Sequence, residues 1–539
     1  MTVVPFLVVA VLAGAGSLVL RAHRGWSTLI AVAGLLGMTA TAAAMTPGTT
    51  LEIGGTVLTV TAWLRLYALL GSIVGLGLVA IDVAAMHEPD VPGVIVIGLG
   101  SAVLALGIPN AGVAVMAATA GGLAGVLVAA PVGAAARSAF VGVRELRALA
   151  VAATLAILAT AWLARPLSDL AAQPAVFSLA YLAFGTAVAI RFGAIPFHLW
   201  AARLADAAPG VALPLLMAWS PAAFAAVALV WIDQSVAPLV LPLATERALI
   251  GAVGAVSVVL GLLAAWVQDD LEHVVGYSII ADAGVAVLGL AALDPATWEP
   301  ARTWLLVFVV GRSAFAAWVV AIHGGFGTRR LPELAGWARR APVLALSLVL
   351  IAIASIGWPG FVAWQARSAL IQLALPGPIA LLVTIAPIGA AAIYGRMLLV
   401  GIRLPGAAVA EGRGERPEWP EPVDREPIAA IGPARDGRRL FRASGAAGGV
   451  GDLVRLIPAG GRANRMPLAA IAVLLLSGLA LLVAGGGLGV PEAARAIPEA
   501  LPVASSGPIT PGESAGPGAN PGPSASQPAN PGPSFAPVP

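Results

Sequence analysis

Residues 191–209 read RFGAIPFHLWAARLADAAP: an arginine closes an apolar run, and Ile-Pro-Phe-His-Leu-Trp follows. A second stretch repeats part of it. FHLWAAR at 197–203 and FVAWQAR at 361–367 share F-x-x-W-x-A-R. Pro196 precedes the first copy, and Pro359 with Gly360 precedes the second. Proline cannot continue a helix without losing a hydrogen bond. Two Gly/Pro-interrupted segments in the two halves of a membrane chain point to paired broken helices beside an ion path.

The rest of the chain makes it a membrane protein. Of its 539 residues, 59% are hydrophobic and 11% charged, against about 25% charged in soluble domains. Fourteen apolar segments stand at 3–20, 27–45, 61–83, 93–108, 110–130, 145–164, 176–193, 209–232, 246–267, 273–292, 300–323, 341–361, 378–402 and 467–489. Most approach the roughly 20 residues that span a hydrocarbon core. The expected fold class is therefore an all-α polytopic membrane protein with about 14 transmembrane helices. The first charge, Arg21, follows the first apolar run. A secretory signal carries its positive residues before that run, so 3–20 reads as a retained helix. TTLEIGGTVLTV (49–60) alternates around Gly54-Gly55 and predicts a short hairpin outside the membrane.

Arginine placement sets the expected orientation. Arg21 and Arg24 lie in the first loop, and Arg137, Arg144 and Arg147 lie in or beside the fifth. Arg329, Arg330, Arg339 and Arg340 lie in the eleventh, and ten arginines fall between 404 and 465. These loops are expected to face the cytoplasm of a prokaryotic cell, in its plasma membrane, with both termini outside. Residues 404–466 read as a polar cytoplasmic insertion, with a short amphipathic piece at 451–457. The Pro/Gly/Ser-rich tail, 490–539, repeats NPGPS at 520–524 and 530–534. It has too little apolar content to pack a core.

Cysteine is absent, which excludes disulfides, Cys-ligated iron–sulfur clusters and c-type haem attachment. No Walker or strand–GxGxxG–helix pattern occurs. No cofactor, metal or nucleic-acid partner is expected. Lysine is also absent, so all 30 basic residues other than histidine are arginine.

The motifs resemble the antiporter-like subunits of respiratory complex I, most closely NADH-quinone oxidoreductase subunit N. The family phrase K-x-G-x-x-P-F-H-x-W is matched by Arg191, Gly193, Pro196, Phe197, His198 and Trp200. DLEHVVGYSIIADAG (270–284), LPELAGWARRAP (331–342) and ASIGWPGF (354–361) match three further phrases in order. The resemblance runs over about 145–375. It implies three leading helices (1–92), an antiporter-like core (93–403) of two inverted five-helix repeats with spans 7 and 12 broken, and one closing helix at 467–489. It also implies other membrane subunits as partners, lipid around them, no redox cofactor, and a part in proton translocation driven by electron transfer elsewhere. Alternatives are an Mrp-like cation/proton antiporter subunit and a non-conducting scaffold of the same fold.

The departures bear on chemistry. Arg191 stands where the family has the lysine of span 7, Pro221 where it has the lysine of span 8, and Glu272 where it has the lysine of D-L-K-R. Asp282 replaces a histidine, and Arg367 falls near the lysine of span 12. The glutamate of span 5 has no counterpart within 110–130. Lysine trades protons readily when buried, whereas arginine stays charged. The proton-path candidates are therefore Arg191 as a fixed charge, His198, Asp282, Arg312 as a partner for Asp282, and Arg367. His198 could instead cap the freed carbonyls of a broken helix. Pro196, Pro359 and Gly360 are the expected break points.

Overall fold

The structure, a computed structural model, describes residues 1–85, 90–129, 136–163, 173–235, 243–403 and 466–495. Most of the insertion and most of the tail lie outside the described residues.

In hydrocarbon every backbone polar group needs an internal partner, which leaves the α-helix as the form for these apolar segments. α1 (Val4–Val19) and α2 (Arg24–Ala44) lead into a two-stranded antiparallel sheet, β1 (Thr50–Ile53) and β2 (Thr56–Thr59). Gly54 and Gly55, at φ +57° and +78°, make its turn, a conformation favouring glycine. Then follow α3 (Ala62–Ala85), α4 (Val91–Gly107), α5 (Ala111–Ala129), α6 (Ala136–Leu163) and α7 (Pro174–Phe192). A short α8 (Leu199–Leu204) and a π-helical turn (Leu215–Trp219) lead into α9 (Ser220–Ser235). α10 (Ala244–Val267), α11 (Leu271–Ala292) and α12 (Trp298–Phe326) form the next run. α13 (Trp337–Arg340), α14 (Pro342–Ile356) and α15 (Val362–Ala374) come after it. Pro387 divides the next apolar segment into α16 (Gly377–Ile385) and α17 (Pro387–Ile402), and α18 (Met466–Ala484) is the last long helix. Among the described residues, nine spans are long and apolar enough to cross a membrane, and four shorter helices are apolar as well. Among the described residues, each of the fourteen apolar segments contains helix.

α11 and α12 form the interior. α12 is buried along its membrane-length window, wrapped by α3, α14, α15 and α18. α1, α2, α10 and α16 carry exposed leucines and valines, as lipid-facing helices do. α10 and α11 approach closely: a Cβ on Gly284 would sit 2.6 Å from the Gly254 carbonyl. Small residues at a helix crossing permit that approach inside a membrane.

Both breaks occur where glycine and proline stand together. α7 ends as Gly193 turns to φ +62°, and the Gly193 and Ala194 amides bond back to Ile190 and Ala189. This is an αL helix ending of the Schellman kind. Pro196 then has no amide to give, and α8 starts three residues later. α14 ends at Gly357, φ +73°; Pro359 and Gly360 (φ +104°) follow, and α15 begins at Val362. Arg367 lies on α15, a helical piece that the apolar segments alone did not mark.

Two boundaries move. The sixth helix begins at Ala136 and not near 145, because apolar residues continue between its arginines. The tail begins later than 490, because Val490–Arg495 forms a helix, α19. Its Val490 and Ala494 are buried, the Ala494 carbonyl accepts from Arg302, and Arg495 pairs with Glu299 at 2.8 Å.

Candidate functional site

Arg191 is the penultimate residue of α7, 3% exposed, one residue before the break. Its Nη2 donates to Ser220 Oγ at 2.7 Å, at the start of α9. Its Nε has no partner. The wall opposite is glycine. A Cβ on Gly122 of α5 would stand 2.8 Å from Arg191 Nη2, and one on Gly125 would stand 3.1 Å from Glu145 Oε1. The two glycines share a helix face at i, i+3, so α5 leaves a slot where two charged heads lie.

Glu145 is the residue the sequence reading missed. It sits on α6, 2% exposed, and its Oε2 has no hydrogen-bond partner. α5 has no carboxylate, but α6 supplies one against its glycine face. Two signals were available. Glu145 is the only acidic residue between Asp90 and Asp169, and Gly122 and Gly125 are spaced to face one neighbour. Its position among Arg144 and Arg147, beside a loop, disguised it.

His198 does not cap the first break. It occupies the N-cap position of α8 without a side-chain cap bond, and its buried Nδ1 has no partner. Trp200 takes that role, its Nε1 donating to the Ile190 carbonyl at 2.9 Å. Ser257 of α10 accepts from the Ile195 amide at 2.9 Å. Pro196, Pro359 and Gly360 are exposed.

At the second break Asp282, Arg312 and Arg367 come together. Arg312, 2% exposed on α12, places both Nε and Nη2 at 2.6 Å from Asp282 Oδ2 on α11. Its Nη1 reaches the Tyr394 hydroxyl of α17 at 3.1 Å. Arg367 turns back on its own break and donates to the carbonyls of Ile356 (2.5 Å) and Ser355 (3.4 Å), the last of α14. Its guanidinium lies over the rings of Trp364 and Trp304, 5.3 and 5.8 Å from their centroids. Trp304 Nε1 in turn donates to the Asp282 carbonyl.

A polar contact joins the two places. Trp219 Nε1, beside Ser220, donates to Ser313 Oγ, beside Arg312, at 2.9 Å. Among the described residues no contact links His198 to Asp282.

A third group closes the helix ends. His273 meets Asp206 at 3.1 Å, and Arg329 meets Asp270 at 2.7 Å and also Glu272. Where the family phrase has lysine, Glu272 thus finds an arginine. Burial pushes the Asp270 carboxyl up. The bond with His273, the Arg329 guanidinium and the Glu272 amide outweigh that and hold it below the usual carboxylate range. Among the described residues no cluster of His, Asp and Glu is placed to hold a metal.

The fold and its apolar helices define a polytopic all-α membrane protein. The family model described as NADH:quinone oxidoreductase/Mrp antiporter, transmembrane, matches residues 132–391. Over 92% of this chain and 98% of the other, the fold is that of a chain in respiratory complex I from Thermus thermophilus, with TM-score 0.64 and 18% identity. Over 91% and 96% it is that of a chain in the Mrp complex of a Dietzia species, again with TM-score 0.64 and 18% identity.

In sequence the chain is similar, divergently, to NADH-quinone oxidoreductase subunit N. NADH-quinone oxidoreductase subunit N of Thiobacillus denitrificans is 29% identical over 202 residues, 37% of this chain and 40% of that protein. Subunit N 2 of Solidesulfovibrio magneticus is 34% identical over 169 residues, 31% and 35% of the two lengths. The matches therefore span about two fifths of the length of these relatives.

Proposed function

We propose that this chain is a membrane-arm, subunit-N-like component of a complex I-type assembly. There it takes part in proton translocation coupled to electron transfer and holds no redox cofactor itself. Its setting in this reading is the plasma membrane of a prokaryote, among other membrane subunits and lipid, with both termini outside. The observation that carries the reading is the pair of broken helices with ionisable side chains buried beside each. A charged side chain at mid-membrane costs about 2.5–3.5 kcal/mol on insertion scales and marks an ion path by default.

The arginines have one role in this scheme. Arg191, Arg312 and Arg367 keep their protons and supply fixed positive fields. Near them stand the carboxylates of Glu145, on α6, and Asp282, on α11, and the imidazole of His198 at the first break. The test is to purify the native assembly, identify its companions, and measure proton uptake into sealed vesicles driven by its electron donor. Recovery of this chain alone, or of companions unrelated to complex I, would sink the reading.

The likeness to the Mrp chain, equal in TM-score to that with complex I, supports a second reading as a cation/proton antiporter subunit. Transport that requires sodium or another metal cation and no electron donor would favour it.

A further inference from the structure

We propose that the end of the core around α13 binds an anionic phospholipid: Arg339, Arg340 and Arg403 take its headgroup phosphate, and the apolar stripes of α14 and α17 that start at the same level take its acyl chains. This site goes beyond the transport reading above and does not depend on it.

The arginines near α13 fall into two sets. Arg329 pairs with Asp270 and Glu272, Arg330 with Glu333, and Arg396 with Asp269. Arg339, Arg340 and Arg403 have no carboxylate partner among the described residues. Arg339 and Arg403 are exposed, and their guanidinium groups make no bond there at all. No acidic residue stands on α13 or in the first turn of α14. The positive charge at this point is therefore local and uncompensated.

Packing of α13 against the end of α17 brings the three arginines to one place. Trp337 is buried, and its Nε1 donates to the Met397 carbonyl at 3.1 Å. The Gly336 amide donates to the Val400 carbonyl at 3.1 Å. A Cβ on Gly401 would stand 2.6 Å from the Trp337 ring and 2.9 Å from Ala338 Cβ. Arg339 follows Ala338 directly, and Arg403 lies just past Gly401. Arg340 is held in position: its Nη2 donates to the Ala335 carbonyl at 3.0 Å, and its guanidinium lies 5.0 Å from the centroid of the Phe326 ring. A guanidinium fixed in this way presents its remaining donors to a phosphate as a rigid fork, with less ordering left to pay on binding.

Apolar surface begins beside these charges. Val343 and Leu346 are exposed on the first turns of α14, and Leu399 and Ile402 on the last turns of α17. Each pair stands at i, i+3 and so shares a helix face, and Arg403 joins the α17 face at i+4 from Leu399. α14 packs on α17 and begins at the end where α17 finishes. The two stripes therefore run from the level of the arginines into the bilayer. Cations at the rim with exposed aliphatic side chains below match an anionic amphiphile in both its parts. A soluble anion would leave the stripes unused, and a neutral lipid would leave the charge unmatched. Each arginine beside a leaflet strengthens anionic-lipid binding by about fivefold.

The test uses the full chain with its co-purifying companions in phosphatidylcholine nanodiscs. These carry a small fraction of phosphatidylglycerol with a photoactivatable diazirine on an acyl chain, and labelled peptides are mapped by mass spectrometry. Expected is labelling within 343–349 and 399–402, with a diazirine phosphatidylcholine labelling them about tenfold less. Arg339→Gln combined with Arg403→Gln should bring phosphatidylglycerol down to the phosphatidylcholine level, while Arg147→Gln, an exposed arginine on α6, should change nothing. If the double variant does not stay monodisperse, about 0.5 M salt on the wild type screens the same charges and should give the same loss. Equal labelling by the two lipids overturns the proposal, and so does anionic labelling that survives the double variant and the salt. Competition by millimolar glycerol 3-phosphate would make this a site for soluble anions instead. Absence of labelling at both stripes would show that a companion subunit covers the face, and would overturn it as well.

Discussion

Arg203 and Arg367 end the two copies of F-x-x-W-x-A-R, yet only Arg367 folds back onto the carbonyls of its own break. At the first break the tryptophan of the pattern, Trp200, caps the helix end. At the second, Trp364 packs on the arginine. One local pattern thus carries two different roles, and substitution should separate them.

Arg367→Ala should destabilise the protein by about 2–4 kcal/mol, since it leaves buried carbonyls without a donor. Arg203→Ala should stay within about 0.5 kcal/mol, as exposed ion pairs do. Thermal unfolding in detergent, followed by the loss of the monodisperse chromatographic peak, gives both numbers. Equal losses would show that the Arg367 clamp contributes nothing special.

Gly122→Ala should cost about 1–3 kcal/mol, because its Cβ would stand 2.7 Å from Leu149 Cδ1 and 2.8 Å from Arg191 Nη2, so that the leucine and the guanidinium bonded to Ser220 must shift. Gly478, whose Cβ would meet nothing within 4 Å, is the control. Gly478→Ala should be neutral or slightly stabilising by helix propensity. The same unfolding assay decides.

Asp270→Asn keeps a good N-cap for α11 and removes only the charge. The folded carboxyl is held below its unfolded value, so its contribution is present above about pH 4 and is lost as pH falls through the folded pKa. The variant should therefore melt earlier than the wild type at pH 7, by about 1 kcal/mol. The two should converge in strong acid. A gap that stays constant with pH would place the effect in the cap and not in the charge.

The chain has no cysteine, so single cysteines report topology cleanly. A cysteine placed in 404–466 should be protected from a membrane-impermeant maleimide in intact cells, and one in 501–539 should react. The reverse pattern would invert the orientation drawn from the arginines.

The sequence by itself determined that the chain spans a membrane many times and where its two broken helices stop. Both follow from local chemistry. Apolar runs must be helical in lipid, and Gly193 with Pro196, like Gly357 with Pro359 and Gly360, ends a helix whatever lies nearby. It also marked Arg191, Asp282 and Arg312 as charges too deep to be incidental. Tertiary structure decided which charges meet. Asp282 and Arg312 stand on neighbouring helices that are apolar all round, and such helices do not announce which face turns inward. Glu145 comes to the same glycine face of α5 as Arg191 only because α6 packs against that face. The separate fates of Arg203 and Arg367 were equally out of reach of the pattern they share. One has Asp206 and solvent beside it, and the other has two indoles and the carbonyls of Ser355 and Ile356. Partners of that kind come from the packing of distant segments and not from the residues next door.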